Sequence, residues 1–315
     1  MLAVLWLSAA LSAIAFSLAT TVRGEADRAA TAGDGVRSHF LATGAIQRAL
    51  LHMEWGRYLQ PDGQTQYYVW GTPRLSFEFP TGHADVLITP EAAKMNVNAA
   101  PPEELFRLLA LLGAEPERAR EITLAIVDWR TPSPGGLPTG FDQYYLSLRP
   151  SFPARHASFE EIEELLLIKG MTPELFYGSV ERDREGRLVP RAGLQDCVTT
   201  YGAGGPFDVN TVEPAVLGAI GVAPEVADLI VAQRNRMPFL KREQVTELLQ
   251  GAPALNRLSV GGNAIYTLRA TARLRLSNGA LSDERRSVAA MVKFLGKGFD
   301  ESYHILRWYD NVWVR

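Results

Sequence analysis

Asp128 and Asp142 stand on either side of a loop rich in proline and glycine, TPSPGGLPTG, and two carboxylates framing such a loop are the beginning of a hard-cation site. Calcium takes about six to eight oxygen ligands, so loop carbonyls and water would have to complete the shell; the competing reading is a pair of helix caps or solvated surface groups. The five histidines, His39, His52, His83, His156 and His304, do not have the spacing of metal ligands. No GxSxG elbow, Walker A loop or HExxH helix occurs, so the sequence supports no catalysis and requires no cofactor. Gly202, Gly204 and Gly205 in YGAGGPFDVN miss the GxGxxG order because Phe207 stands where the third glycine belongs, which leaves a plain connector. Cys197 is the single cysteine, so an intramolecular disulfide and a cysteine-based zinc site are both ruled out; beside Val198 it reads as a small buried residue.

The elements that would carry these residues begin with an apolar one. Residues 1–22 contain no charged side chain, and a helix of that length reaches about 33 Å, enough to span a bilayer. No Lys or Arg precedes the run, and it exceeds the core of roughly 7 to 15 residues found in a cleaved signal, which favours an anchor. Helix-forming residues continue to about residue 58. Val36 and Phe40 lie four apart, and Ile46, Leu50 and Met53 are spaced by four and three, so each group shares a helical face. A helix that outlasts the membrane needs neighbours over its apolar face, so residues 24–58, with Val36, Phe40, Ile46, Leu50 and Met53, form the candidate partner-binding surface.

The whole chain has 315 residues, 47% of them hydrophobic and 21% charged, with a net charge of −3. This is a globular balance of about two domains, without the basic field that drives binding to phosphate backbones. Strand-like text occupies Gly63 to Ile88 (QYYVW, RLSFEF, DVLIT) and returns near the end in AIYTLRATARLRLS, ERRSVAAMVKFL and SYHILRWY, with a turn at Asn278-Gly279. Leu268, Ala270, Ala272, Leu274 and Leu276 alternate with Arg269, Arg273 and Arg275, which marks one buried and one wet face. Late aromatics, Trp308, Tyr309 and Trp313, pack on the sheet or offer an edge to a partner. The expected organisation is an α+β chain: a helix over 1–58 with 1–22 in the membrane, an antiparallel sheet from 59–89 and 258–315, and a helical insertion over 90–257.

The insertion contains an internal repeat, at 95–170 and 207–251. Asn98, Pro102 and Leu105 recur as Asn210, Pro214 and Leu217, each 112 residues later; after a four-residue deletion Gly113, Pro116, Ala119 and Ile122 recur as Gly221, Pro224, Ala227 and Ile230. Each copy reads as a helix-hairpin-helix-like (SAM-like) unit. Asn98 is placed to cap its first helix, and SFEEIEELLLIKG and FLKREQVTELLQG read as closing amphipathic helices ended by Gly170 and Gly251. Such units suggest a rival function, DNA binding through hairpin amides. Ala223 and Glu115 occupy the second hairpin glycine positions, and residues 210–250 hold four Lys and Arg against five Asp and Glu, so nucleic acid is not expected as a partner.

The apolar start VLWLSAALSAIAFSLATTVR, the blocks MNVNAAPPEELFRLLALLG and FDVNTVEPAVLGAIG, the motif AIVDWR followed by a loop and FDQYY, and SFEEIEELLLIKGM together resemble the general secretion pathway protein K family, the large minor pseudopilins of bacterial type II secretion. The resemblance covers almost the whole chain. It implies a long amino-terminal helix, half in the inner membrane, and a pilin-like sheet with a large helical insertion, all beyond the membrane lying in the periplasm. It also implies a non-enzymatic subunit at the tip of a short pseudopilus, in complex with the minor pseudopilins I and J, above the major pseudopilin G, with exported proteins as further candidate contacts. A minor pilin of a type IV pilus is the neighbouring alternative. Family members carry acidic residues in the loop after the DWR motif, where this chain has TPSPGGLPTG, so the resemblance does not supply the ligands that calcium at Asp128 and Asp142 would need.

Overall fold

The computed structural model describes residues 1–56, 67–182, 185–202, 204–249, 253–262, 264–296 and 299–312. One helix, α1 (Leu2–Trp55), opens the chain, and at 1.5 Å per residue it is about 80 Å long. Its first part is long and apolar enough to cross a membrane, and none of that part is buried. The expected extension of the helix to residue 58 lies outside the described residues.

Two strands follow, β1 (Arg74–Phe79) and β2 (Gly82–Pro90). The sequence leaves two or three strands open between Gly63 and Ile88, and the described residues have two: Tyr67–Trp70 form a bend and a turn. The chain reverses there: Thr72 N–H donates to the Val69 carbonyl at 3.0 Å, Gly71 takes φ +90°, and the Tyr68 ring is buried at the end of α1. Then come β3 (Met95–Asn96), α2 (Pro102–Leu111), α3 (Pro116–Arg130), α4 (Gly140–Ser147), α5 (Pro173–Tyr177), β4 (Ser179–Arg182), β5 (Leu188–Arg191), α6 (Leu194–Cys197), β6 (Val198–Thr199) and β7 (Phe207–Asp208). The chain goes on through α7 (Pro214–Ala219), α8 (Pro224–Arg236), α9 (Arg242–Leu248), β8 (Leu258–Ser259), β9 (Ile265–Leu274), β10 (Arg286–Phe294) and β11 (Tyr303–Tyr309).

The main sheet runs β1-β2-β9-β10-β11 and is antiparallel throughout. Alternate residues of the three central strands, Ala84, Val86 and Ile88, Leu268, Ala270 and Ala272, Val288, Ala290 and Val292, pack against one face of α1. Strand periodicity thus gives the dry face that the late alternation required, although Leu276 at its end is exposed. Pro90 pairs with Tyr266 across β2 and β9, so the helical insertion leaves and re-enters the sheet at adjacent points. The insertion has its own core, running from Met95 to Leu258 and distinct from the core beneath the sheet. Leu258–Ser259, expected within the sheet, pairs in parallel with Phe207–Asp208 inside the insertion instead.

Within the insertion, two regions make the same contacts. α2 and α3 meet at Gly113 (φ +91°), α7 and α8 at Gly221 (φ +92°), positions that only glycine adopts readily. Ala114 N–H donates to the Leu109 carbonyl and Val222 N–H to the Leu217 carbonyl, both at 3.0 Å. The Asn98 amide pairs in both directions with the main chain of Phe159, and Asn210 does so with Phe239. Asn98 is therefore no helix cap: α2 starts four residues beyond it, with Pro101 at the cap position, and the amide side chain instead fixes the distant 159 segment. Arg130 donates to the carbonyls of Val97 and Ala100, and Arg234 to those of Val209 and Val212. Glu164 Oε1 accepts from the N–H groups of Glu160 and Glu161, as Gln244 Oε1 does from Leu240 and Lys241. The closing segments differ. Arg242–Leu248 is an α-helix, whereas Ile162–Leu167 winds as a tighter 3₁₀ turn instead of the amphipathic helix expected. There the Ile168 N–H bonds back to Leu165 and the Lys169 N–H turns to the Tyr145 hydroxyl, so no further α-helical turn forms. Gly170 follows at φ +86°; Gly251 lies outside the described residues.

Candidate functional site

Beyond its first turns α1 is two-faced. Ser38, Leu41, Ala42, Ala45, Ile46, Ala49, Leu50 and Met53 follow the 3-and-4 spacing of one helical stripe, and the small alanines let the sheet approach closely. Ile46, Leu50 and Met53, expected on a partner surface, are 0–1% exposed beneath the chain's own sheet, each burial stabilising the fold by about 1.5–3 kcal/mol. They are core residues. Val36 and Phe40 lie on the other face, 56% and 67% exposed. At 100° per residue, Val22, Ala29, Gly33, Val36, Phe40, Gly44, Leu51 and Trp55 fall within an arc of about 100°, a mostly apolar and small-residue side that Arg37, Gln47 and Glu54 interrupt. Leu51 and Trp55 were missed in the sequence; their signal is the step of eleven residues, three helical turns, from Phe40 to Leu51. Gly33 and Gly44 have open space where a side chain would stand, so a second helix can lie close against this stripe.

Asp128 and Asp142 do come together, at a corner between α3 and α4, with Asp142 as a helix cap and Asp128 in the last turn of α3. Thr139 accepts from the Asp142 N–H at 3.4 Å while Asp142 Oδ2 accepts from the Thr139 N–H at 2.7 Å, a reciprocal box at the start of α4. Asp142 Oδ1 accepts from the Ala154 N–H at 3.1 Å, and Oδ2 also receives His156 Nε2 at 2.9 Å. Asp128 Oδ2 accepts from the Thr139 hydroxyl at 3.1 Å. The other ring nitrogen of His156, Nδ1, faces the carbonyls of Asp128 and Thr131 at 3.2 and 3.3 Å. Both carboxylates are thus engaged, the loop from 131 to 139 adds no third, and no group of three or more metal-ligating side chains exists among the described residues. This donor set does not fit calcium, which needs several free oxygens. His156, seventeen per cent exposed at its side chain, occupies the centre that a cation would take. Burial alone would lower the pKa of its ring, but the hydrogen bond and charge of Asp142, with Asp128 behind, hold it above the ordinary value. For Asp142, burial acts to raise the carboxyl, and the bonds from Thr139, His156 and Ala154 outweigh it and leave it lowered.

On the sheet face away from α1, a cavity of about 850 Å³ separates the strands from the insertion, lined by Arg74, Arg269 and Arg307 on one wall and Glu161, Glu163 and Asp196 on the other. Arg307 and Glu161 form an ion pair across it. Its lining contains no His, Cys or Ser. Cys197 is buried, as its surroundings in the sequence implied. Trp308 packs on the sheet core and Tyr309 is exposed; Trp313 lies outside the described residues.

Comparison with known proteins gives one direction. The family described as "Type II secretion system (T2SS), protein K" matches residues 86–178. The type II secretion system protein K of Pseudomonas aeruginosa is 26% identical over 239 residues, 75% of this chain and 64% of that protein. Its counterpart from Klebsiella pneumoniae is 27% identical over 161 residues, 47% of this chain and 49% of that protein. The chain thus spans somewhat under two thirds of the first relative and about half of the second. Among solved structures, the crystal structure of the GspK-GspI-GspJ complex from the enterotoxigenic Escherichia coli type 2 secretion system holds a chain with the same fold, at TM-score 0.55 and 16% identity, covering 87% of this chain and 95% of that one.

Proposed function

We propose that the chain is a member of the protein K family of type II secretion systems, a minor pseudopilin that acts as a structural subunit, without enzymatic activity, at the tip of the pseudopilus. The observation that carries this reading is the division of α1: one stripe is consumed by the chain's own sheet, and the opposite side, with Val22, Val36, Phe40 and Leu51, is left exposed. A soluble domain gains nothing from such an exposed side, whereas a subunit packed helix to helix in a filament covers it. The bulk of the insertion supports the tip position, because a large lobe mounted beside the sheet would obstruct a subunit stacked above. We take the minor pseudopilins I and J as the neighbours, the major pseudopilin G as the subunit beneath, the inner membrane as the seat of the apolar start, and the periplasm as the site of the sheet and insertion. The paired regions of the insertion are copies of a helix-hairpin-helix-like module put to structural use, since the second copy lacks the positive surplus that phosphate binding needs.

The test is to mix residues 24–315 with the soluble parts of proteins I and J encoded beside it and to measure mass by light scattering after gel filtration. A complex with one copy of each is the expected result. A chain that remains alone, and shifts a DNA probe at moderate salt, would replace this reading with the hairpin one.

A further inference from the structure

The corner between α3 and α4 is arranged like a cation site with the cation already covalently attached. Three oxygens from separate segments converge on the His156 ring: Asp142 Oδ2 at 2.9 Å, from the start of α4, and the carbonyls of Asp128 and Thr131 at 3.2 and 3.3 Å, from the end of α3. With an acceptor opposite each ring nitrogen, both nitrogens donate only in the imidazolium form. His156 is the one non-glycine residue with positive φ among those described, at +48°, a conformation that persists where surrounding contacts hold it. Those contacts are the three oxygens, backed by Ala154 N–H on Asp142 Oδ1 and by Ala157 N–H on the Trp129 carbonyl at 3.1 Å.

We propose that His156 closes the loop over residues 131–139 from within, tying the end of α3 to the start of α4, so that this corner is organised without a divalent cation. The protonated ring supplies the charge that a metal ion would bring, and the loop has correspondingly no carboxylate of its own between Asp128 and Asp142. The consequence is an indifference to calcium. A subunit whose corner depends on bound calcium loosens when the ion is removed; this one holds its loop through a side chain it cannot lose.

The experiment uses the full chain in detergent and reads two quantities, the melting temperature and the rate of proteolytic cutting between residues 131 and 139, with millimolar calcium or with chelator. A calcium site filled to roughly a hundredfold over its dissociation constant would raise the melting temperature by several degrees. The expected result for the unaltered chain is no shift and the same cutting rate in both buffers. His156→Ala should be cut faster in this loop, and calcium should not restore protection. A melting temperature raised by calcium in the unaltered chain, or protection of its loop by calcium, would overturn the proposal, as would a His156→Ala chain cut no faster than its parent. If the variant does not fold, the two buffers on the unaltered chain still decide.

Discussion

The charge pair of His156 and Asp142 carries a pH dependence whose sign follows from the two directions of shift. The ring is held above its ordinary value of 6.5, so its share of the stability is complete below that value and is lost as pH rises through the raised one. Asp142 is held below its ordinary 3.8, so its share is complete above that value and is lost as pH falls through the lowered one. The clasp is therefore fully made in mildly acidic solution. His156→Ala should lower stability by about 1–2 kcal/mol near pH 5 to 6, and by progressively less towards pH 9. Melting curves of both chains across that range check it; a gap that widens with rising pH contradicts the assignment. His156 was invisible as a site residue in the sequence because its partners sit 14 and 28 positions away and meet only through the fold-back of the 150–157 segment. The aspartates were visible, but their residue type could not show that backbone amides and His156 had taken the oxygens of Asp142 and that the Thr139 hydroxyl bonds Asp128.

For α1, residues that looked alike in the sequence fall on different sides of a boundary. Phe40→Asp places a charge on the exposed side and should leave the melting temperature of the isolated chain within a few degrees, while weakening the proposed complex with proteins I and J by tenfold or more, on the order of 1.4 kcal/mol. Leu50→Asp buries an unpaired carboxylate under the sheet and should destabilise by about 3 kcal/mol or more, enough to impair folding before any assembly is measured. Melting the isolated chains and titrating the complex separate the two; equal effects on folding would remove the distinction between faces. The length of the helix and its 3.6-residue period were legible, because both are local. Which stripe meets the sheet was not, since Val36 and Phe40 differ from Ile46, Leu50 and Met53 by only about 40–140° around a helix that is apolar on more than one side. The final strands were legible for the opposite reason: Leu268, Ala270 and Ala272 against Arg269 and Arg273 leave one dry face and no choice. QYYVW is not the third strand that its composition left open, because such a composition also suits an aromatic turn that buries Tyr68 and sets Trp55 edge-to-face with Tyr67.

At the scale of the whole molecule, the two cores share almost nothing. The sheet core is built by α1 and five strands, the insertion core by residues from Met95 to Leu258, and the polar ties between the two parts include Asn210 to the Gly71 carbonyl at 2.9 Å, Thr267 to Glu91 at 2.7 Å, the Tyr266 hydroxyl to the Gly262 carbonyl at 2.9 Å, the Phe294 N–H to the Ala264 carbonyl at 2.7 Å, and the Arg307 and Glu161 pair across the cavity. The ends of the insertion leave β2 and β9 where Pro90 and Tyr266 are already paired, at the spacing of a hairpin. Removing residues 91–264 and joining Pro90 to Ile265 through a short Asn-Gly turn should therefore leave α1 and the five-stranded sheet folded, with a single cooperative melt by circular dichroism. Because the exposed side of α1 belongs to the part that remains, the shortened chain should still join proteins I and J in the light-scattering measurement. A shortened chain that folds but does not assemble would move the partner surface onto the insertion, and one that does not fold would show that the sheet depends on its ties to the insertion.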